Sequence, residues 1–319
     1  MKKTDYKNSI YPKASLAFTM IELVIVIVVF GIVAMISSEI IATIYERYLI
    51  SRTQHIIETK TSLALLQISN RLQFRIKESA IAKRSGTSTI TPLESSDNSY
   101  QIIEWIGYDN DGLNGAYDGS RYVPGWSGFA DLLDASSNSS GLRSPGSRFD
   151  FEDNILYSLS DKEVNLSGST DHPALIFKEY EGEFNVSLFG WNHSADHNYS
   201  LRVHRDPNIV DRLIFDDTPE ILYEHYHLSW TAYALVPEGD DCSASVPTDC
   251  NLTLYYNFRP WENEVYTDGR KTVLLDHITL FRFKGVGRAI HLKICASDPV
   301  FDAFNDNETV SICKERLIH

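Results

Sequence analysis

The stretch that decides the architecture is Ala17-Phe18-Thr19-Met20-Ile21-Glu22-Leu23, which opens an apolar run reaching Ile36 with Glu22 as its single charge. From Phe18 to Ile36 the run is about as long as the ~20 residues a helix needs to cross the hydrocarbon of a bilayer. A carboxylate four residues into such a helix costs about 2.5–3.5 kcal/mol unless it is paired. Glu22 therefore reads as a functional position whose partner has to be named. An α-amino group on Phe18 would serve, and it exists only if the chain is cut after Ala17.

Upstream, residues 1–17 form a basic leader, with Lys2, Lys3, Lys7 and Lys13 against Asp5. Positive charge before an apolar segment holds that end in the cytoplasm, which places everything after Ile36 outside the inner membrane. A secretory signal peptide would be cut after its apolar stretch, and no A-x-A-like site precedes the polar part of this chain.

The run F-T-M-I-E-L-V-I-V-I-V-V-F-G resembles the N-terminus of type IV prepilins and type II secretion pseudopilins. Members of that family carry a short basic leader, a cut before Phe, a Glu four residues on and a Gly deeper in the helix. Here those positions are Phe18, Glu22 and Gly31. The resemblance implies that a prepilin peptidase cuts after Ala17 and N-methylates Phe18. It also implies other pilin or pseudopilin subunits and an inner-membrane assembly platform as partners. Two departures stand out. Ala17 replaces the usual Gly before the cut, and the early Pro of many major pilins is missing, none occurring between Phe18 and Arg84.

Downstream, Ile36, Ile40, Ile44 and Tyr48 recur every four residues beside Ile41, Tyr45 and Leu49. Apolar positions continue through Ile56, Leu63, Leu66, Leu72 and Ile76. This spacing predicts one helix over residues 18–85, membrane-spanning over 18–36, with Gly86 as its stop. Run to about Lys83, it would be roughly 100 Å long at 1.5 Å per residue. Its second half is apolar on one side only and needs a domain to pack on. A coiled-coil stalk is the rival, but spacing by fours with β-branched and Tyr residues fits a heptad seam poorly.

Residues 86–319 read differently. Tyr100 to Ile106, Ile155 to Leu159, Ala174 to Phe177, Phe184 to Phe189, Val210 to Phe215, Leu252 to Phe258 and His277 to Phe283 are short β-branched and aromatic runs between turn residues. The expected fold class is α+β: a long N-terminal helix followed by a β-rich, antiparallel, pilin-like outer domain. A Gly-, Asn-, Ser- and Asp-rich loop insertion is expected over 109–148. The strand, turn and strand from Leu274 to Ile294 are similar to the late hairpin of larger minor pilins and pseudopilins, and 319 residues exceeds what a major pilin needs.

From Ser85 onward there are 17 basic and 37 acidic residues, a formal charge of −20. Such a field repels phosphate backbones and welcomes cations, so no nucleic-acid partner is expected. The four cysteines, Cys242, Cys250, Cys295 and Cys313, all lie in this outer part and read as two disulfides in an oxidising compartment. Three pairings are possible. Cys242 with Cys250 and Cys295 with Cys313 is the expected one, because each pair brackets a loop and pilin families often pin a C-terminal loop this way. A cysteine zinc site lacks any C-x-x-C spacing.

Cation binding is the other chemistry to weigh. Asp109, Asp111, Asn114 and Asp118 sit in a Gly-punctuated loop and carry the oxygens that calcium takes, although the spacing is not that of an EF-hand. Calcium is the only cofactor the sequence suggests. A second acidic loop runs from Asp298 to Glu308. His193, His197, His204, His225 and His227 read as surface or satisfied histidines. Asn165, Asn185, Asn198 and Asn251 stand in acid-extended sequons of the kind some bacteria glycosylate in the periplasm, which requires exposed loops. No G-x-S-x-G, H-E-x-x-H, P-loop or dinucleotide fingerprint occurs, so no enzyme is expected.

The reading is then a minor pilin or pseudopilin subunit. It would be a single-pass inner-membrane protein with a cytoplasmic N-terminus and a periplasmic domain before assembly into a pilus or pseudopilus. The alternative is a membrane-anchored periplasmic binding or adhesion module that joins no filament.

Overall fold

The computed structural model describes residues 19–168, 171–180, 185–239, 242, 250–299 and 309–319. Its first element is α1 (Met20–Gln73), 54 residues long and so about 80 Å from end to end. Strands β1 (Ile81–Lys83), β2 (Ile90–Pro92) and β3 (Ile102–Gly107) follow. Next come α2 (Asn110–Asn114), β4 (Ala116–Tyr117), β5 (Tyr122–Val123), β6 (Gly141–Arg143), α3 (Phe149–Leu159), β7 (Ala174–Phe177), β8 (Leu201–Arg205), β9 (Arg212–Phe215) and β10 (Tyr226–Ser229). The chain closes with β11 (Thr231–Glu238), β12 (Asn251–Phe258), β13 (Arg270–Leu275), β14 (Ile278–Val286), β15 (Ala289–Pro299) and β16 (Thr309–Ile318). A long apolar helix followed by antiparallel sheets is the α+β class that the patterning predicts.

The host sheet runs β13-β12-β11-β3-β1-β2, and its two faces bury different cores because side chains alternate along each strand. Ile103 and Trp105 of β3 face the helix side, with Ile57, Ala64, Ile68 and Leu72 of α1 and with Phe281, Leu292 and Ile294 of the sheet β14-β15-β16. Ile102 and Ile106 point the other way, to Ile76, Ile81, Phe258 and Trp261. Glu104 shares that second face, where its carboxylate meets Lys83 Nζ at 2.7 Å with both side chains buried. The helix is thus sandwiched between the host sheet and the C-terminal hairpin sheet. Exposed ion pairs, Lys60 with Asp276 and Lys314 with Glu58, rim that seam.

Several expectations are corrected. The helix stops at Gln73, not near Lys83, because the chain is needed as sheet. Ile76 N–H donates to Ile106 O at 2.8 Å, Ile106 N–H donates to Ser79 Oγ at 2.9 Å, and β1 pairs along β3. Arg75 closes the helix end by donating to Leu72 O and reaches Arg288 O at 2.8 Å. The buried face is only in part the one read from spacing: Leu72 and, just past the helix, Ile76 are buried as read. Ile57, Thr61, Ala64, Leu65, Ile68, Ser69 and Leu72 are buried, whereas Ile56, Leu63 and Leu66 are exposed.

The insertion is larger than 109–148. Gly107 of β3 faces Thr231 of β11 across the host sheet, so the chain from 108 to 230 leaves and returns between neighbouring strands. This inserted unit has its own five-stranded sheet, β10-β7-β8-β9-β6, and its own core around Trp126, Phe149, Leu156, Leu175 and Tyr226. Within it, 155–159 is the end of α3 and not a strand, and Val186–Phe189 is a 3-10 turn. The late hairpin is present, but Leu274 and Leu275 belong to β13 in the host sheet, and β14 begins at Ile278.

Candidate functional site

The N-terminal end of α1 is built around Glu22. Thr19 is the N-cap, and its Oγ1 accepts from Glu22 N–H at 3.3 Å. Glu22 Oε2 folds back to Thr19 N–H at 3.5 Å and to its hydroxyl at 3.4 Å. This capping box holds a carboxylate against the positive end of the helix dipole, beside the place where Phe18 enters. Ala17 and Phe18 themselves lie outside the described residues.

Beyond this cap, the large apolar side chains from Met20 to Ile36 are all exposed. The segment that carries them is long and apolar enough to cross a membrane, by length and composition. Nothing within the described residues covers them. A Cβ added at Gly31 would meet no atom within 4 Å, so this glycine serves no packing within the described residues. Exposed Ile40, Ile44, Tyr45 and Tyr48 extend the apolar surface past the span.

Both expected disulfides are formed. Cys295 and Cys313 face each other across β15 and β16, and Cys242 joins Cys250 at the entry to β12. Most of the acidic segment from Asp298 to Glu308 lies outside the described residues.

The four oxygen-bearing residues of the 109–118 loop part company. Asp109 is buried and caps α2 by accepting from Gly112 N–H at 2.9 Å. Asp118 turns into its own turn, where it accepts from Ser120 and Arg121 backbone N–H and from Ser120 Oγ, and these bonds pull its carboxyl down to about 2. Asp111 and Asn114 stay at the surface. The partner that Asp109 meets is Glu152 of α3, a residue the sequence reading passed over. Glu152 is fully buried, and burial, followed by the charge of Asp109, pushes its carboxyl well above the usual range. Burial likewise raises Asp109, while its hydrogen bond with Glu152 works the other way and lowers it. Gly112 and Gly125 make the room, since a Cβ on either would stand within about 2.1 Å of Glu152 Oε2. A signal was present: Phe149, Glu152 and Leu156 lie on one helical face, an acid in an apolar stripe.

The five singled-out histidines differ. His193 Nδ1 is 2.7 Å from Asn263 O, His225 faces Glu179 at 3.9 Å, and His197 stands 3.8 Å from Asp217. Burial drives His227 down to about 3, so it is a neutral ring stacked on Tyr108. His204 alone joins a cluster, with His172 and Asp216. Of the sequon residues, Asn185 and Asn198 are exposed, and Asn165 and Asn251 are half-buried. Asn251 is committed to β12 opposite Glu238.

Residues 12–38 match the family described as the prokaryotic N-terminal methylation motif. No curated protein and no solved structure matches the chain. The matched residues take in Ala17, Phe18, Glu22 and Gly31, and they lead into the exposed apolar helix on which the fold is hung. This motif, and the helix that carries it, support a place for the chain among type IV pilins and pseudopilins.

Proposed function

We propose that this chain is a minor pilin or pseudopilin subunit, cut between Ala17 and Phe18, N-methylated, and assembled through α1 into a type IV pilus or type II secretion pseudopilus. The observation that carries this reading is the apolar first half of α1, exposed all round and headed by a carboxylate folded toward its own N-terminal end. Before assembly that half spans the inner membrane with the outer domain in the periplasm. In the filament it lies among the helices of other subunits. There Glu22 meets a neighbour's positive terminus, because a paired buried charge is tolerated where a lone one is not.

The role is one of assembly, with the prepilin peptidase and the assembly platform as its partners, and not catalysis. The test is intact mass and N-terminal peptide analysis of protein from native membranes, with and without the peptidase. N-methylated Phe18, lost without the peptidase, is the expected result. An intact Met1 in both samples would make the chain a fixed anchor, whose inserted unit would then act as a binding or adhesion module.

Two smaller proposals ride on the outer domain. Calcium binding by Asp109, Asp111, Asn114 and Asp118 requires Asp118 to give up its turn, and a rise in Tm on adding calcium would support it. Glycan on the sequons is best placed at Asn185 and Asn198, and an unchanged mass in a glycosylating strain would remove it.

A further inference from the structure

Among the described residues, the group of three metal-ligating side chains whose ligand atoms lie within 4.8 Å of one another is His172, His204 and Asp216. They come from three segments of the inserted sheet: His172 just before β7, His204 within β8 and Asp216 just after β9. Asp216 Oδ2 is 2.5 Å from His172 Nδ1, and its Oδ1 is 2.7 Å from His204 Nδ1. One carboxylate therefore lies between two imidazoles.

The protons make this more than an ordinary pair. His172 Nε2 is 3.0 Å from Gly168 O, a carbonyl that can only accept, so Nε2 carries the hydrogen. In a neutral ring Nδ1 then holds a lone pair, and it points at a carboxylate oxygen 2.5 Å away. Two acceptors at that separation need a proton between them, the place a metal ion would take once they stood about 3.3 Å apart. A ring nitrogen donating to a backbone carbonyl is also how metal-bound histidines are oriented.

The backbone holds the three residues in place. His172 N–H donates to Glu262 Oε1 at 3.4 Å, and its carbonyl accepts from Trp261 Nε1 at 3.0 Å. Asp216 N–H donates to Arg202 O at 3.0 Å. The nearby Arg202 guanidinium does not oppose a cation, being taken up by Asp217 at 2.7 Å and Glu262 at 3.4 Å. The three side chains keep between 17% and 33% of their surface, which leaves a way in for an ion and for water.

We propose that His172, His204 and Asp216 form a site for a divalent transition metal of the zinc class. Two imidazoles and a carboxylate leave a fourth position for water or for a partner's side chain. The ligand set suits zinc, and tetrahedral ligands stand about 3.3 Å apart, so the two carboxylate contacts have to open by less than about 1 Å and the widest pair, within 4.8 Å, has to close by about 1.5 Å at most. The ion would tie three segments of the inserted sheet together.

The test uses the full chain in detergent, stripped with a chelator and titrated with zinc alone. The expected result is one zinc per chain, held about 100-fold more weakly in His204→Gln and Asp216→Asn and unchanged in His193→Gln. Should a cluster variant fail to fold, X-ray absorption of the zinc-loaded wild type decides, with two imidazoles and one carboxylate expected around the metal. Wild type that binds no zinc, zinc retained by both folded cluster variants, or a metal shell without two imidazoles would each overturn the site and leave a doubly paired carboxylate. Neither outcome bears on assembly through α1.

Discussion

The two halves of α1 are continuous in backbone and opposite in what they ask of their surroundings. From Met20 to Ile36 the helix shows its apolar side chains on every side and buries none of them. From Ile57 to Leu72 it buries one face under the host sheet and the hairpin sheet. The first half is left uncovered by the described residues, and the second is completed by the chain's own fold. The difference shows in composition. The buried face mixes Ile68 and Leu72 with Thr61, Ala64 and Ser69, small residues that let a sheet approach closely, whereas the exposed half is almost wholly large and branched.

The sharpest way to break this comparison is Glu22→Ala. It touches only the exposed half, so membrane insertion and the melting of the outer domain should stay as they are while incorporation into filaments is lost. A variant that assembles normally, scored by sheared filament fractions, would deny Glu22 its role.

Next comes Ile68→Ala, a cavity in the buried half, with an expected cost of about 2–5 kcal/mol in thermal unfolding. Ile27→Ala, its counterpart in the exposed half, should leave the melting of the outer domain unmoved. Equal effects from the two would erase the distinction.

Removing the Cys295–Cys313 bridge by double serine substitution loosens the hairpin sheet on which the second half leans. A loss of about 2–4 kcal/mol is expected, and no loss would show that α1 holds the hairpin unaided.

The smallest effect concerns the inserted unit, whose core does not include α1. In the fold Glu152 keeps its proton at a pH where the unfolded chain has released it. Its contribution is therefore full below the ordinary carboxylate range and declines as pH rises through that range toward neutrality. Glu152→Gln has no proton to lose, so in calcium-free buffer it should match wild type near about pH 4 and melt a few degrees higher near about pH 7. Identical melting at both would mean that the acid pair is not buried as described.

How far the sequence could be read follows from where the information sits. The motif around Glu22 and the apolar run are local, and they led to the long apolar helix and the α+β class. The sequence also led to the disulfide pairs, because each pair brackets a loop. The packing face followed only at Leu72 and Ile76, since Ile56, Leu63 and Leu66 carry the apolar signal but lie outside, while Thr61 and Ser69 carry none and lie inside. The extent of the insertion was hidden because its second half speaks the same strand language as its host. Only the pairing of Gly107 with Thr231 marks the junction, and that contact spans more than a hundred residues. His172 and Asp216 gave no sign in sequence, for it is the neighbouring strands that bring them to His204.

That same pairing has a mechanical consequence. A pull between the free end of α1 and the host sheet is carried along the helix, through its buried face, and across the rung that joins β3 to β11. The inserted unit leaves and rejoins the chain on one rung, so it is a side branch of that path, leaning on the host sheet through Ile176, Phe189 and Trp191. Its far side, around Trp126 and Phe149, is the part that can be reshaped, enlarged or loaded while the tensile path through the subunit stays unchanged.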